Sequence, residues 1–143
     1  MDILDTRDLI ETRESLQNQI IEAFNEVFNT DYQSFEDIDL EDTEQKYNET
    51  KLEEFNEVWT EELEHLKEIE EIETTFSGEF EYGVTLVNDN DFVEYVEELL
   101  VDIGYIPKNM PSWIEIDYEK TANNVEQDYT TVSYRGNDYL GRG

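Results

Sequence analysis

The chain has 143 residues, with 39 Asp and Glu against nine Lys and Arg, which leaves a net charge of −30. Acidity on this scale usually accompanies disorder, yet two Trp, nine Tyr and seven Phe, with Ile, Leu and Val throughout, supply the material for a packed core. The charge also repels nucleic acid and anionic lipid, and the lack of cysteine excludes disulfides and thiolate metal sites.

Residues 6–28 predict a first helix. Asp5 or Thr6 can cap it, and Leu9, Ile10, Leu16, Ile20, Phe24 and Val27 share one face at the 3.6-residue period, with Asp8, Glu11, Glu22 and Glu26 opposite. Residues 29–50 read as a long acidic connection anchored by Tyr32, Phe35, Ile38 and Leu40, in which Ser34 can cap a short helical turn.

Residues 51–72 predict a second long helix with Leu52, Phe55, Trp59, Leu63, Leu66 and Ile69 as its apolar stripe. On the far side Glu53, Glu57, Glu61, Glu64, Glu68 and Glu71 fall within about 80° of one another and extend over roughly 27 Å at 1.5 Å per residue. Glu54 and Glu62 flank them. Glu70 and Glu73 fall inside the apolar arc, which predicts that the last turn frays or sits at a rim. Helix faces ordinarily intersperse Lys among Glu at i,i+4. Here Lys51 and Lys67 are the only bases set against ten glutamates across residues 51–73.

Gly78 and Gly83 mark a change of style. Val84–Val87 is a strand candidate, and Asn88–Asp91 opens a third helix with Phe92, Val96, Leu99 and Ile103 on one face, ended by Gly104 with Pro107 beyond. Pro107 and Pro111 bracket a loop leading to Trp113–Ile116. Asp117 caps a fourth helix carrying Tyr118, Ala122, Val125 and Tyr129, and a hairpin follows: Thr131–Tyr134, a turn at Arg135–Asp138, then Tyr139–Leu140. The expected class is α+β: an acidic helical hairpin over residues 1–77, then a small α/β module with a C-terminal β-hairpin over residues 78–143, the two as separate parts or as one continuous domain.

Catalytic chemistry has little to stand on. His65 is the single histidine and lies near the exposed side of the second helix, and no serine has a glycine elbow or base beside it. No enzyme is expected. Asp37-x-Asp39-x-Glu41 and Asp89-x-Asp91 resemble the start of a calcium loop, but Asp42 stands where such a loop needs Gly, and Asn48 and Leu100 stand where it needs Glu. No metal or cofactor is expected. There is no glycine-rich phosphate loop. No apolar run reaches the roughly 20 residues of a membrane span, and Met1–Asp5 lacks the pattern of a signal peptide. The expected location is the cytoplasm.

The acidic stripe is the distinctive feature. Duplex DNA carries about one negative charge per 1.7 Å of axis, so the net charge matches roughly 50 Å of duplex. A groove lined with Arg and Lys would bind such a surface in place of DNA. The expected partner is therefore the basic DNA-binding groove of a host protein, contacted by Glu53, Glu54, Glu57, Glu61, Glu62, Glu64, Glu68 and Glu71, with no direct nucleic-acid binding. The contrasting reading is an acidic cation-binding or structural interaction protein whose carboxylates keep it hydrated.

Trp113-Ile114-Glu115-Ile116-Asp117-Tyr118-Glu119-Lys120-Thr121-Ala122, then Asp128-Tyr129-Thr130-Thr131-Val132 and the Tyr134–Leu140 hairpin, carry a resemblance. This segment, about residues 113–140, resembles the terminal part of ArdA-like antirestriction proteins and, more closely, a group of small phage proteins of unassigned role. Weaker similarity runs through Leu4–Leu9 and the third helix. The resemblance implies an acidic, elongated homodimer that imitates bent duplex DNA. Its implied setting is phage counter-defence in the host cytoplasm, against a restriction-modification enzyme or a CRISPR effector. The first half departs from that family, with a helical pair in place of its N-terminal α/β domain.

Overall fold

A computed structural model describes residues 1–143. The fold is mixed α+β, with five α-helices and a four-stranded antiparallel sheet that ends in a hairpin. In chain order the elements are β1 (Ile3–Asp5), α1 (Thr6–Phe28), α2 (Glu49–Val58), α3 (Thr60–Thr75), β2 (Thr85–Asn88), α4 (Phe92–Asp102), α5 (Tyr118–Glu126), β3 (Thr130–Tyr134) and β4 (Asn137–Gly141). Single 3₁₀ turns lie at Phe35–Asp37, Phe80–Tyr82 and Asp89–Asp91. No helix is long and apolar enough to cross a membrane. The chain divides into two compact units, one of Leu9–Glu71 and one of Met1–Asp8 with Ile72–Gly143. A division after residue 77 separates Met1–Asp8 from the sheet it belongs to, because β1 pairs with β2 some 80 residues away.

In the unit that holds the sheet, strand order is β1-β2-β4-β3. Ile3 faces Val87 and Asp5 faces Thr85, and the ladder extends one step further where Asn88 N donates to Asp2 O at 2.9 Å. β2 is central and buried on both faces. On one side Val87 and Leu140 pack with Phe92, Val96 and Ala122, which brings α4 and α5 over that face. On the other, Leu86 and Phe76 come so near Gly141 that a Cβ there would sit 2.6 and 2.8 Å from their side chains. Asp117 caps α5 as its sequence predicts, Oδ1 accepting from Lys120 N at 3.0 Å. Gly104 ends α4 at φ +83°, where any other residue is strained. Ile103, predicted on the buried face of α4, is instead 53 % exposed, because the helix has already ended. The hairpin turn is also tighter than predicted. Arg135 and Gly136 alone form it, both at positive φ, and Asn137 and Asp138 belong to β4.

The start of α1 is fastened by Thr6, which is wholly buried. Its Oγ1 donates to Phe80 O at 2.8 Å and accepts from Val84 N at 2.7 Å. Asp5 supplies the cap, Oδ1 accepting from Arg7 N at 2.8 Å. The Arg7 guanidinium in turn holds the Asp5 carboxyl below the usual range.

In the Leu9–Glu71 unit, Ile20, Phe24, Ile38, Leu52, Phe55 and Leu66 form the core. Phe24 is its hub, stacked on Phe28 with centroids 4.4 Å apart and meeting Tyr47 and Phe55 edge-on at 5.3 Å. Val27, predicted on the buried stripe of α1, is exposed, and Phe28 packs in its stead. The connection from α1 to α2 is tied down rather than loose. Asn25 brackets Tyr32, its Nδ2 donating to Tyr32 O and its Oδ1 accepting from Tyr32 N, both at 2.9 Å. The Tyr32 and Tyr47 hydroxyls bond to each other. Ser34 precedes the Phe35–Asp37 turn without a side-chain cap bond.

Two predictions follow from these buried polar groups. Thr6→Val keeps the volume but removes the bonds to the Phe80 carbonyl and from the Val84 amide, so it should cost about 1–3 kcal/mol in urea denaturation, while Thr6→Ser recovers most of that loss. Burial and the bond from its hydroxyl to Asp2 push Tyr139 up to about 12, and burial with Tyr32 does the same for Tyr47. A free tyrosine titrates near pH 10, so both states hold these protons below about pH 10, and the unfolded chain releases them first above it. Stability should fall between about pH 10 and about pH 12, and Tyr139→Phe should flatten part of that fall in thermal melts.

Candidate functional site

The predicted second helix is two. α2 ends at Val58, and Trp59 adopts φ −100° and ψ 16°, outside the helical range, before α3 starts at Thr60. The cause is local. Thr60 Oγ1 donates to Asn56 O at 2.8 Å, engaging the carbonyl that an uninterrupted helix would offer to the Thr60 amide. Bonds on either side of the gap keep the two helices consecutive, Trp59 N to Phe55 O at 3.1 Å and Leu63 N to Trp59 O at 2.9 Å. The apolar spacing runs on through the break, with Leu52, Phe55, Leu66, Ile69 and Ile72 all buried.

The predicted carboxylates therefore divide between two supports. Glu53, Glu54 and Glu57 stand on α2, and Glu61, Glu62, Glu64, Glu68 and Glu71 on α3. Glu53, Glu54, Glu57, Glu61, Glu64 and Glu71 are exposed, whereas Glu62 and Glu68 are half-buried. Glu70 is exposed and Glu73 half-buried, and α3 does not fray there but continues to Thr75, as a turn at a rim does. His65 is half-buried. Lys51 stands with its ammonium over the Phe28 ring, 5.2 Å from the centroid. The ion pairs Arg7–Asp5 and Lys46–Glu44, each at 2.6 Å, lie outside the stripe.

The acids of the connection are used differently. Asp39 accepts from Glu41 N at 3.1 Å, Thr43 N at 2.8 Å and Thr43 Oγ1 at 2.6 Å. The Thr43 hydroxyl and amide hold its carboxyl below the usual range. Asp42 accepts from Lys46 N and Tyr47 N at 2.7 and 3.0 Å. These carboxylates hold their own loop, and no group of three or more acid, His or Cys side chains is placed to bind a metal ion. An open cavity of about 730 Å³ lies between this loop and α2, lined by Glu41, Asp42, Glu49 and Glu53 among others. Its carboxylates disfavour a phosphate-bearing cofactor.

A second surface escaped the sequence reading. Residues 103–114 contain no acid, and Tyr105 and Trp113 within them are 78 % and 80 % exposed. The available signal was the gap itself, a long acid-free stretch in a chain this acidic.

No protein-family model, curated protein or solved structure matches the chain.

The predicted stripe carries like charges at i,i+4 within each helix, Glu53/Glu57 and Glu64/Glu68. Each such pair costs a few tenths of a kcal/mol, about 0.2–0.5, and an opposite pair returns a similar amount. The double variant Glu57→Lys, Glu64→Lys should thus melt at or above the wild-type temperature in low salt, and the gain should shrink as salt is added. A marked drop in melting temperature would mean that these side chains support the fold.

Proposed function

We propose that the protein is a binding protein rather than an enzyme: a DNA-mimic inhibitor that occupies the basic DNA-binding groove of a host defence protein. The observation that carries this reading is the ordered display of Glu53, Glu54, Glu57, Glu61, Glu64 and Glu71 on two consecutive helices of a chain with net charge −30. Helices fix the spacing of the carboxylates before any partner arrives, so little ordering entropy is lost on docking. The surrounding negative field speeds capture by a positive groove and excludes nucleic acid from the same surface. In this reading the acidic helical hairpin supplies the contact and the small C-terminal module supports it. The resemblance of residues 113–140 to ArdA-like proteins favours phage counter-defence, acting in the host cytoplasm on a restriction-modification enzyme or a CRISPR effector.

The test is inhibition of purified restriction-modification enzymes and CRISPR effectors in DNA cleavage assays. Inhibition should be relieved by added duplex, and it should weaken steadily as salt rises, because the contact is ionic. Reversal of four exposed carboxylates, Glu53, Glu57, Glu61 and Glu64 to Lys, should lower the association rate and raise the inhibition constant by about tenfold or more while leaving the fold intact. Glu68 is left out because it is half-buried. Inhibition that duplex does not relieve, or a direct complex of the protein with DNA at physiological salt, would refute the mimic mechanism. If these enzymes are unaffected but salt-sensitive capture retrieves another DNA-binding host protein whose activity is blocked, the mechanism stands with a different target.

A further inference from the structure

β3 ends the sheet on one side and pairs only with β4. Outer strands are ordinarily guarded by charge, proline, a bulge or brevity. β1, on the other side, is guarded: it has three residues, follows Asp2 and ends in Asp5. β3 has five, Thr130-Thr131-Val132-Ser133-Tyr134, with neither charge nor proline. Thr130, Thr131 and Ser133 are exposed.

The ladder fixes which main-chain groups point outward. The two-residue turn makes Tyr134 and Asn137 a hydrogen-bonded pair, and Val132 and Tyr139 are the next such pair. Thr131 and Ser133 fall between and direct their N–H and C=O groups away from β4. Side chains alternate along the same strand. Val132 shares one face with Tyr139, and both are buried. Ser133 shares the other face with Asp138, and its Oγ donates to Asp138 Oδ1 at 2.9 Å. That bond draws an exposed carboxylate towards the edge.

We propose that this edge is a docking site for an extended, Lys- or Arg-bearing segment of a partner protein, which joins the sheet as a further strand beside β3. Strand addition takes its affinity from main-chain bonds and its specificity from alternate side chains. Thr131 and Ser133 offer their outward N–H and C=O groups to the incoming backbone. A residue set beside Val132 extends the buried face and is best apolar. Residues set beside Thr131 and Ser133 point to the side of Asp138. Neighbouring strands lie about 4.8 Å apart, so the backbone beside Ser133 is two strands, roughly 10 Å, from that of Asp138. A Lys or Arg side chain covers most of that distance, and the bond that draws Asp138 to Ser133 shortens the rest. Charge selects the occupant. β3 itself is neutral and repels no strand, but the chain around it carries a net −30, which disfavours an acidic segment and a second copy alike and draws in a cationic one. Arg135 lies in the turn, beyond the residues that an added strand pairs. The contact uses none of the carboxylates of α2 and α3, so it is a second surface that goes beyond the groove inhibition proposed above.

The probe is a synthetic peptide of about six alternating Lys and Val residues, the ordinary length of a strand. Titrated into the full chain, it should slow hydrogen exchange at the Thr131 and Ser133 amides. A Glu–Val peptide should bind about tenfold more weakly or worse. So should the Lys–Val peptide with its backbone nitrogens methylated, which keeps the charge and loses the donors. Thr131→Pro removes an outward N–H without touching a bond to β4, and Ser133→Lys guards the edge with a cation beside Asp138. Each should weaken binding by about tenfold or more, while Thr131→Val should not. If Thr131→Pro fails to fold, Ser133→Lys decides. Equal binding of the methylated peptide would reduce the contact to charge alone and overturn the proposal. Equal binding of the Glu–Val peptide, no protection at these two amides, or undiminished binding in the folded variants would overturn it as well. Protection that rises with protein concentration in the absence of peptide would give the edge to a second copy and overturn the assigned occupant. All these variants keep Glu53, Glu57, Glu61 and Glu64, so failure here leaves the DNA-cleavage test of groove inhibition standing.

Discussion

Mutual repulsion among carboxylates is the constraint on which the rest of this molecule depends. With 39 acids and nine bases, most acidic groups cannot be paired and must remain in water, where neighbouring charges cost least. The helices answer with one buried and one wet face. Apolar side chains gather into buried clusters, among them one around Phe24 and Phe55 and one around Val87 and Phe92. Those clusters must offset both chain entropy and the charge. The density of ring contacts around Phe24, where aromatic pairs add to simple burial, suits that task.

Where the chain can use an acid internally, it does. Asp39 and Asp42 accept amide hydrogens of their own loop, Asp117 and Asp5 cap helices, and Asp2 receives the Tyr139 hydroxyl. An ionised acceptor strengthens such bonds, so these carboxylates bring order to a connection that composition alone would leave mobile. Glu53, Glu54, Glu57, Glu61 and Glu64 of α2 and α3 are exposed and cap no loop or helix end. Their side chains are long, an arrangement suited to meeting cations across an interface.

The molecule thereby presents two kinds of surface. One is dense in carboxylate and reaches outward through a long-range field. The other is nearly free of acid, at residues 103–114 and at the edge of β3, and can act only at contact distance through backbone bonds and apolar area. Salt screens the field of the first and leaves short-range contact at the second largely untouched.

Much of this was legible in the residues. The span of α1, the caps at Asp5, Asp117 and Gly104, the final hairpin and the side of the helix that carries the acids all follow from local periodicity and turn chemistry, which need no knowledge of distant partners. The pairing of Ile3–Asp5 with Thr85–Val87 was not legible, since three residues have no period and their partner lies far along the chain. Nor was the break at Trp59, which turns on one hydroxyl of Thr60 competing for one carbonyl. Val27 and Glu68 sit differently from their places on an ideal wheel because neighbouring elements, not the helix itself, decide what is covered, and Ile103 does so because α4 ends at Asp102. By itself the sequence determined where charge and apolar mass lie along each element, a one-dimensional property. Which strand lies at the edge of the sheet, and which glutamates are exposed, only the tertiary structure decided, because exposure is set by what packs alongside.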